Sequence, residues 1–155
     1  MDVNVVAYDV GGWGVGELWL DANDVVLAHD LPVARASTAA RRPHPLVDRI
    51  LAYFGGSEDL FADVSLDLEG ATAFQRAVVE ALRRVPYGET VTYGELAALA
   101  GHPGAHRAAG SVCAGNRFGL FVPCHRVVAA GSLGPYGSLG PSYKRRMLEL
   151  EGVVA

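Results

Sequence analysis

TYGELAALAGHPGAHRAAGSVCAG, from Thr92 to Gly115, decides how the second half of this chain folds. Thr92 and Glu95 make a capping box, in which the threonine side chain accepts from the Glu95 N–H and the glutamate reaches back to the Thr92 N–H. A short helix then runs through Leu96, Leu99 and Ala100 until Gly101 closes it. A second helix is expected from near Pro103 to about Gly115. Gly101-His102-Pro103-Gly104 is a tight turn, and the small residues Ala105, Ala108, Ala109 and Gly110 permit close approach, so the pair fits a helix-turn-helix. Paired short helices also occur as plain packing units, and spacing alone does not separate the two readings.

Upstream, Thr72 and Gln75 form another capping box, and Phe74, Val78, Leu82 and Val85 make one apolar stripe that stops at Pro86. Before it, near Asp67 to Ala71, the sign of the charge flips. We therefore expect an α+β fold in two domains: residues 1–68, a small structural unit of strands and one helix, and residues 69–155, a mainly helical unit. In the first, Val3 to Val10, Val15 to Leu20 and Val25 to His29 are β-branched or aromatic runs separated by Gly11-Gly12-Trp13-Gly14 and Asp21-Ala22-Asn23-Asp24, the pattern of hairpin strands. Residues 31–43 lack periodicity and predict a loop. Leu46, Ile50, Leu51 and Phe54 share a helical face that Gly55-Gly56 terminates. No internal repeat and no candidate chemistry is visible in this half.

Half of the 155 residues are apolar, enough for one good core or two small ones that lean on each other. No apolar run approaches the roughly 18 to 20 residues of a membrane span, and Met1-Asp2 lacks the basic flank of a signal peptide. The expectation is a soluble cytoplasmic protein with free thiols at Cys113 and Cys124, since one bridge would not make a secreted scaffold. The net charge of −4 conceals an asymmetry. Residues 1–71 hold four arginines against twelve acids, and residues 72–155 hold nine basic residues against five acids. Arg76, Arg83, Arg84, Arg107, Arg117, Arg126, Lys144, Arg145 and Arg146 suit phosphates. Charge alone fits an ordinary solvated surface equally well.

Phe118 to Val122 predicts an extended, buried segment that delivers Pro123-Cys124-His125-Arg126-Val127-Val128 to the end of the helical pair. Pro141 can open a last helix whose apolar face is Tyr143, Met147 and Leu150, ending at Glu151 before Gly152. A cysteine beside a histidine, taken alone, also fits a protease or a redox site.

The surrounding motifs narrow it. Pro-Cys-His-Arg-Val-Val at 123–128, Tyr93-Gly94-Glu95-Leu96-Ala97, Arg107-Ala108-Ala109-Gly110, Gly115-Asn116 and Leu150-Glu151-Gly152 occur in order over about eighty residues. Residues 72–152 thereby resemble the DNA-binding and active-site domain of the O6-alkylguanine-DNA alkyltransferases, the methylated-DNA–protein-cysteine methyltransferases. The first half resembles that family's N-terminal, ribonuclease H-like domain only in length and in strand-then-helix order. The resemblance implies DNA repair by single-turnover transfer of an alkyl group from guanine O6, with O4-alkylthymine as a further substrate. It implies double-stranded DNA as the partner; we expect no cofactor, no metal and a monomer, with the cytoplasmic protein nucleoid-associated when bound.

Attack at an sp³ carbon needs a soft nucleophile, and a thiolate is one. A free thiol, with a pKa of about 8.5, is mostly protonated at neutral pH and needs a base. The resemblance makes Cys124 the nucleophile and acceptor, His125 the base acting through a water, Glu151 the group orienting His125, and Asn116 the brace of the site. Tyr93 would rotate the phosphate and donate a proton as guanine leaves. Arg107 would be the finger that replaces the extruded nucleotide, with Tyr93, Ala105, His106, Gly110 and Arg126 also on DNA. Val127, Tyr136, Gly137 and Ser138 would line the pocket. The chain departs from the family at Gly137-Ser138, where a serine or another small residue commonly follows the tyrosine directly.

The thioether formed at Cys124 is not a good leaving group, so each molecule acts once. Cys113, inside the second helix of the pair, is expected to pack as a small apolar residue. His29, His44, His102, His106 and His125 are dispersed, and Pro103-Gly104 breaks the helix that would align His102 with His106. Two other readings remain: an alkyltransferase-like module that binds the lesion without transfer, whose members lack the acceptor cysteine, and a cysteine hydrolase built on Cys124 and His125.

Overall fold

β-branched and aromatic residues draw the first three runs into an antiparallel sheet of order β1-β2-β3, with β1 at Asn4–Val10, β2 at Gly14–Leu20 and β3 at Val26–Val33. The structure is a computed structural model, and it describes residues 2–153. β3 continues past His29, so Leu31, Pro32 and Val33 belong to the strand and not to the expected loop. The edge of a sheet tolerates a proline, whose missing N–H removes no obligatory ladder bond there. Register shifts between Val15 and Glu17 and between Trp19 and Leu20 accommodate the extra length.

Helix α1, Pro45–Phe54, is capped by His44, whose Nδ1 accepts the Leu46 N–H at 3.0 Å. Leu46, Val47, Ile50, Tyr53 and Phe54 are its buried face. Leu51, expected on that face, is 38% exposed. It follows Ile50 by one position, about 100° around the helix, which turns it outward.

The chain divides into two units, the first comprising the residues up to Asp67 together with Arg117–Leu120. Phe118 bridges to His29, and Arg117 donates to the Leu27 and Asp67 carbonyls at 3.0 and 2.7 Å. Arg117 is thus committed to backbone. The expected extended segment is confined to the Phe118 bridge, because the chain turns at once and Leu120 takes a φ of +75°.

His29 is buried in this unit, with Nδ1 2.6 Å from the Gly119 carbonyl and Nε2 2.5 Å from the Tyr8 hydroxyl. A carbonyl only accepts, so Nδ1 carries the hydrogen and Nε2 accepts from Tyr8. Gly16 lies opposite Tyr8, and a Cβ there would overlap the phenol ring, 2.2 Å from its nearest atom. Burial lowers the His29 pKa to about 4 against the pull of Gly119. Between pH 6.5 and 4 the unfolded chain takes up a proton that the folded chain refuses. His29 therefore contributes a stability that is present above 6.5 and falls by up to about 3 kcal/mol as the pH drops to 4. His29→Phe should lose that much less stability than the wild type between pH 7.5 and 4 in urea unfolding. Equal losses would refute it.

The second unit holds Leu68–Asn116 and the chain from Phe121 onward. Helix α2, Ala73–Arg83, carries the Thr72/Gln75 capping box and buries Val78, Val79, Ala81 and Leu82. Strand β4, Val91–Thr92, pairs in parallel with β5, Val127–Val128, in the register Val91↔Val127 and Thr92↔Val128. Helix α3, Tyr93–Leu99, follows β4 directly behind the Thr92/Glu95 capping box. Its inward residues are Leu96 and Ala97, whereas Leu99 is exposed. Helix α4 occupies His106–Ala114, starting later than expected because Gly104 takes a φ of +89° and holds Pro103 in the turn.

Helix α5, Pro141–Leu150, buries Lys144, Met147 and Leu148, followed by Glu151. This replaces the expected stripe of Tyr143, Met147 and Leu150. Among the described residues no helix is long and apolar enough to cross a membrane.

Candidate functional site

The β4–β5 pairing sets the start of α3 beside the turn that precedes β5, and that turn holds the motif cysteine. Cys124–Arg126 is one turn of 3-10 helix, closed by Arg126 N–H donating to the Pro123 carbonyl at 2.9 Å. In this tight turn successive side chains diverge by about 120°, so Cys124 and His125 point in different directions. All three are buried, Cys124 at 5% exposure. Asn116 fixes the thiol: its Nδ2 donates to the Val122 carbonyl at 2.9 Å and to Cys124 Sγ at 3.3 Å.

Behind the thiol lies a buried charged network. Glu151 Oε2 accepts from His125 Nε2 at 2.6 Å, its Oε1 accepts from the Gly88 N–H at 3.1 Å, and Arg126 Nε and Nη2 reach the two oxygens at 2.9 Å each. Burial alone would raise the Glu151 pKa, but the bonds from His125 and Arg126 outweigh it and hold the carboxyl well below the usual range. An ionised carboxylate only accepts, so Nε2 carries the His125 hydrogen and Nδ1 keeps its lone pair. Nδ1 is buried without a hydrogen-bond partner among the described residues. Burial lowers the His125 pKa against the Glu151 attraction, so the imidazole is neutral at pH 7 and Nδ1 is its basic atom.

Arg126 was expected on DNA, and the structure corrects this. It is 2% exposed, forks onto Glu151, donates to the Val85 carbonyl at 3.1 Å, and lies 5.8 Å from the Tyr87 ring centroid. A guanidinium so enclosed cannot reach a phosphate.

Two residues beside the thiol were not assigned a chemical role from the sequence. Cys113, expected only to pack, is half-buried. The neighbouring Cys113 and then burial push the Cys124 thiol well up, opposed by Asn116 and Lys144. Lys144 is fully buried on α5, donates to the Pro135 carbonyl at 3.1 Å, and sits 5.9 Å from the Tyr93 ring centroid. Burial lowers its pKa while both cysteines raise it. The signal was present in the sequence, because Lys144, Met147, Leu148 and Glu151 follow the i, i+3, i+4, i+7 spacing of one helical face.

Tyr93 is the first residue of α3, and its ring passes 3.8 Å from where a Cβ on Gly110 of α4 would stand. Burial, then the two cysteines, raises its pKa, so the phenol keeps its proton. At the start of α4, Ala105 is half-buried while His106 and Arg107 are exposed, and no carboxylate among the described residues pairs with Arg107. Val127 is fully buried, in register with Val91. Tyr136 stacks 6.3 Å from Tyr143, its hydroxyl points to Met147 Sδ at 3.8 Å, and its pKa is raised by burial and then by Cys124. Gly137, at φ +52°, and Ser138 are exposed. Among the described residues no group of three or more His, Cys, Asp or Glu side chains could hold a metal ion.

Residues 73–153 match the family model described as 6-O-methylguanine DNA methyltransferase, DNA binding domain. A methylated-DNA–protein-cysteine methyltransferase of Mycobacterium tuberculosis is 51% identical over 106 residues, covering 68% of this chain and 62% of that protein. The chain thus spans less than two thirds of the length of the curated relatives it matches first. The crystal structure of Mycobacterium tuberculosis O6-methylguanine methyltransferase matches with a TM-score of 0.80 at 35% identity, covering 97% of this chain and 93% of that one. That of Mycobacterium tuberculosis OGT in complex with DNA matches with a TM-score of 0.77 at 38% identity, covering 96% and 92%.

Proposed function

We propose that this chain, which belongs to the methylated-DNA–protein-cysteine methyltransferase family, repairs DNA directly by moving an alkyl group from guanine O6, or from thymine O4, to Cys124. The observation that carries the reading is the braced, buried thiol of Cys124 next to a histidine whose far nitrogen is held by an ionised Glu151.

The steps follow from the groups present. The Cys124 proton passes through a water to His125 Nδ1, and Glu151 stabilises the resulting imidazolium. The thiolate attacks the alkyl carbon, an S–C bond forms, and the C–O bond breaks with its electron pair on the guanine. The Tyr93 hydroxyl supplies a proton to the leaving base. The target atom is stacked inside a duplex, so the nucleotide must rotate out, and Arg107 at the exposed start of α4 takes its place in the stack. Ala105, just before that helix, and His106 and Gly110 within it face the DNA. Tyr136, Gly137, Ser138 and Val127 line the pocket for the base. Arg126 plays no part on the DNA and holds Glu151 instead.

On this reading α3 and α4 form a helix-turn-helix, the first unit is ribonuclease H-like, and the domains are residues 1–68 and 69–155, apart from Arg117–Leu120, which belong to the first unit. The protein works as a monomer in the cytoplasm, on the nucleoid when bound. With a molar excess of duplex carrying O6-methylguanine, repaired guanine should equal the protein added and then stop rising. Continued turnover would rule out a consumed acceptor, and no repair at all would rule out transfer.

A further inference from the structure

The loop at 129–140, which carries the pocket residues Tyr136, Gly137 and Ser138, is held by side chains of the helix that follows it. On α5, Lys144 Nζ donates to the Pro135 carbonyl at 3.1 Å, and Met147 Sδ accepts from the Tyr136 hydroxyl at 3.8 Å. The Tyr143 ring stacks on the Tyr136 ring, with centroids 6.3 Å apart and planes 28° from parallel. The loop has little stiffness of its own. Gly134, Gly137 and Gly140 take φ values of +79°, +52° and +85°, in the left-handed region that glycine enters without strain. Tyr136 therefore takes its place from α5, helped by the Gly140 N–H, which donates to its carbonyl at 3.2 Å. Lys144 and Met147 are fully buried, whereas Tyr143 is half-buried. The mechanism above gives Tyr143 no task.

We propose that Tyr143 is a positioning residue of the base pocket, backing the Tyr136 ring so that its other face is held ready to stack on the extruded guanine. The inference rests on the reading that Tyr136 lines that pocket. With Tyr143 on one face of Tyr136, a base arriving on the other completes a stack of three rings. The Met147 contact lies at the hydroxyl, on the axis about which a phenol ring turns, so it does not set the tilt of the ring. Tyr143 does. Without it the ring turns about its Cβ–Cγ bond, and fixing it again draws on the stacking energy that keeps the base out of the duplex.

Single-turnover transfer from a duplex carrying O6-methylguanine is measured with protein in excess but below saturation, for the wild type, Tyr143→Phe and Tyr143→Leu. Phenylalanine keeps the ring, and leucine keeps apolar bulk without it. The leucine variant should react about three- to tenfold more slowly, the worth of one aromatic pair, while Tyr143→Phe matches the wild type. All three should bind an unmodified duplex equally and share one pH profile, because neither the phosphate contacts nor the proton path uses this ring. In a Cys124→Ala background, where nothing is transferred, Tyr143→Leu should lower the preference for the lesion duplex over the unmodified one by the same factor. A leucine variant as fast as the wild type, a phenylalanine variant as slow as the leucine one, or a parallel loss of binding to unmodified duplex would each overturn the proposal. A wild type that transfers nothing would overturn the acceptor reading instead, and the lesion preference would still decide this one.

Discussion

Arg126→Met is expected to lower stability by about 3–5 kcal/mol, the usual result of removing one partner from a buried ion pair. For a chain of this size that is a fall in Tm of about 6 to 20 °C. Glu151 would keep its buried charge while losing both bonds from the guanidinium, and the Val85 carbonyl would lose the Arg126 donor. Thermal unfolding of the variant against the wild type measures the effect. A phosphate-binding arginine behaves in the opposite way, leaving Tm unchanged and weakening DNA binding with a smaller salt dependence. That outcome would overturn the network described here.

His125→Gln should slow alkyl transfer by about 10²- to 10⁴-fold, the ordinary worth of a general base, while DNA affinity stays close to that of the wild type. The pH profile separates loss of the base from a generally damaged site. In the wild type the His125 pKa is depressed below 6.5, so Nδ1 is already free of a proton at neutral pH and the single-turnover rate should be nearly flat from pH 7 to 8.5. Without that base the reaction depends on spontaneous ionisation of Cys124, whose thiol is raised. The variant's rate should climb about tenfold per pH unit over the same range. Parallel profiles for the two proteins would remove His125 from the proton path.

What the sequence made legible was local. Both capping boxes connect residues three apart, and each forms as expected, with Thr72 and Thr92 accepting at 3.1 Å from the Gln75 and Glu95 N–H groups. The motif cysteine, its histidine and Glu151 were identifiable because the ordered motifs match a known family. Where the reading failed, the deciding contact lay far along the chain. Arg126 looks like one more surface arginine until Glu151, twenty-five positions on, is brought under it. β3 outruns its apolar pattern because an edge strand tolerates Pro32. Lys144 is the exception, since the spacing of its own helix already marked it as inward, and its charge led it to be counted with the surface.

The most direct measurement is to locate the transferred group. The protein is incubated with a duplex containing a single O6-methylguanine, digested, and its peptides are sequenced by mass spectrometry. One methyl group on the sulfur of Cys124, with unmodified guanine recovered from the DNA, is the predicted result. A methyl group on any other residue, or unmodified protein beside an intact lesion, would contradict it.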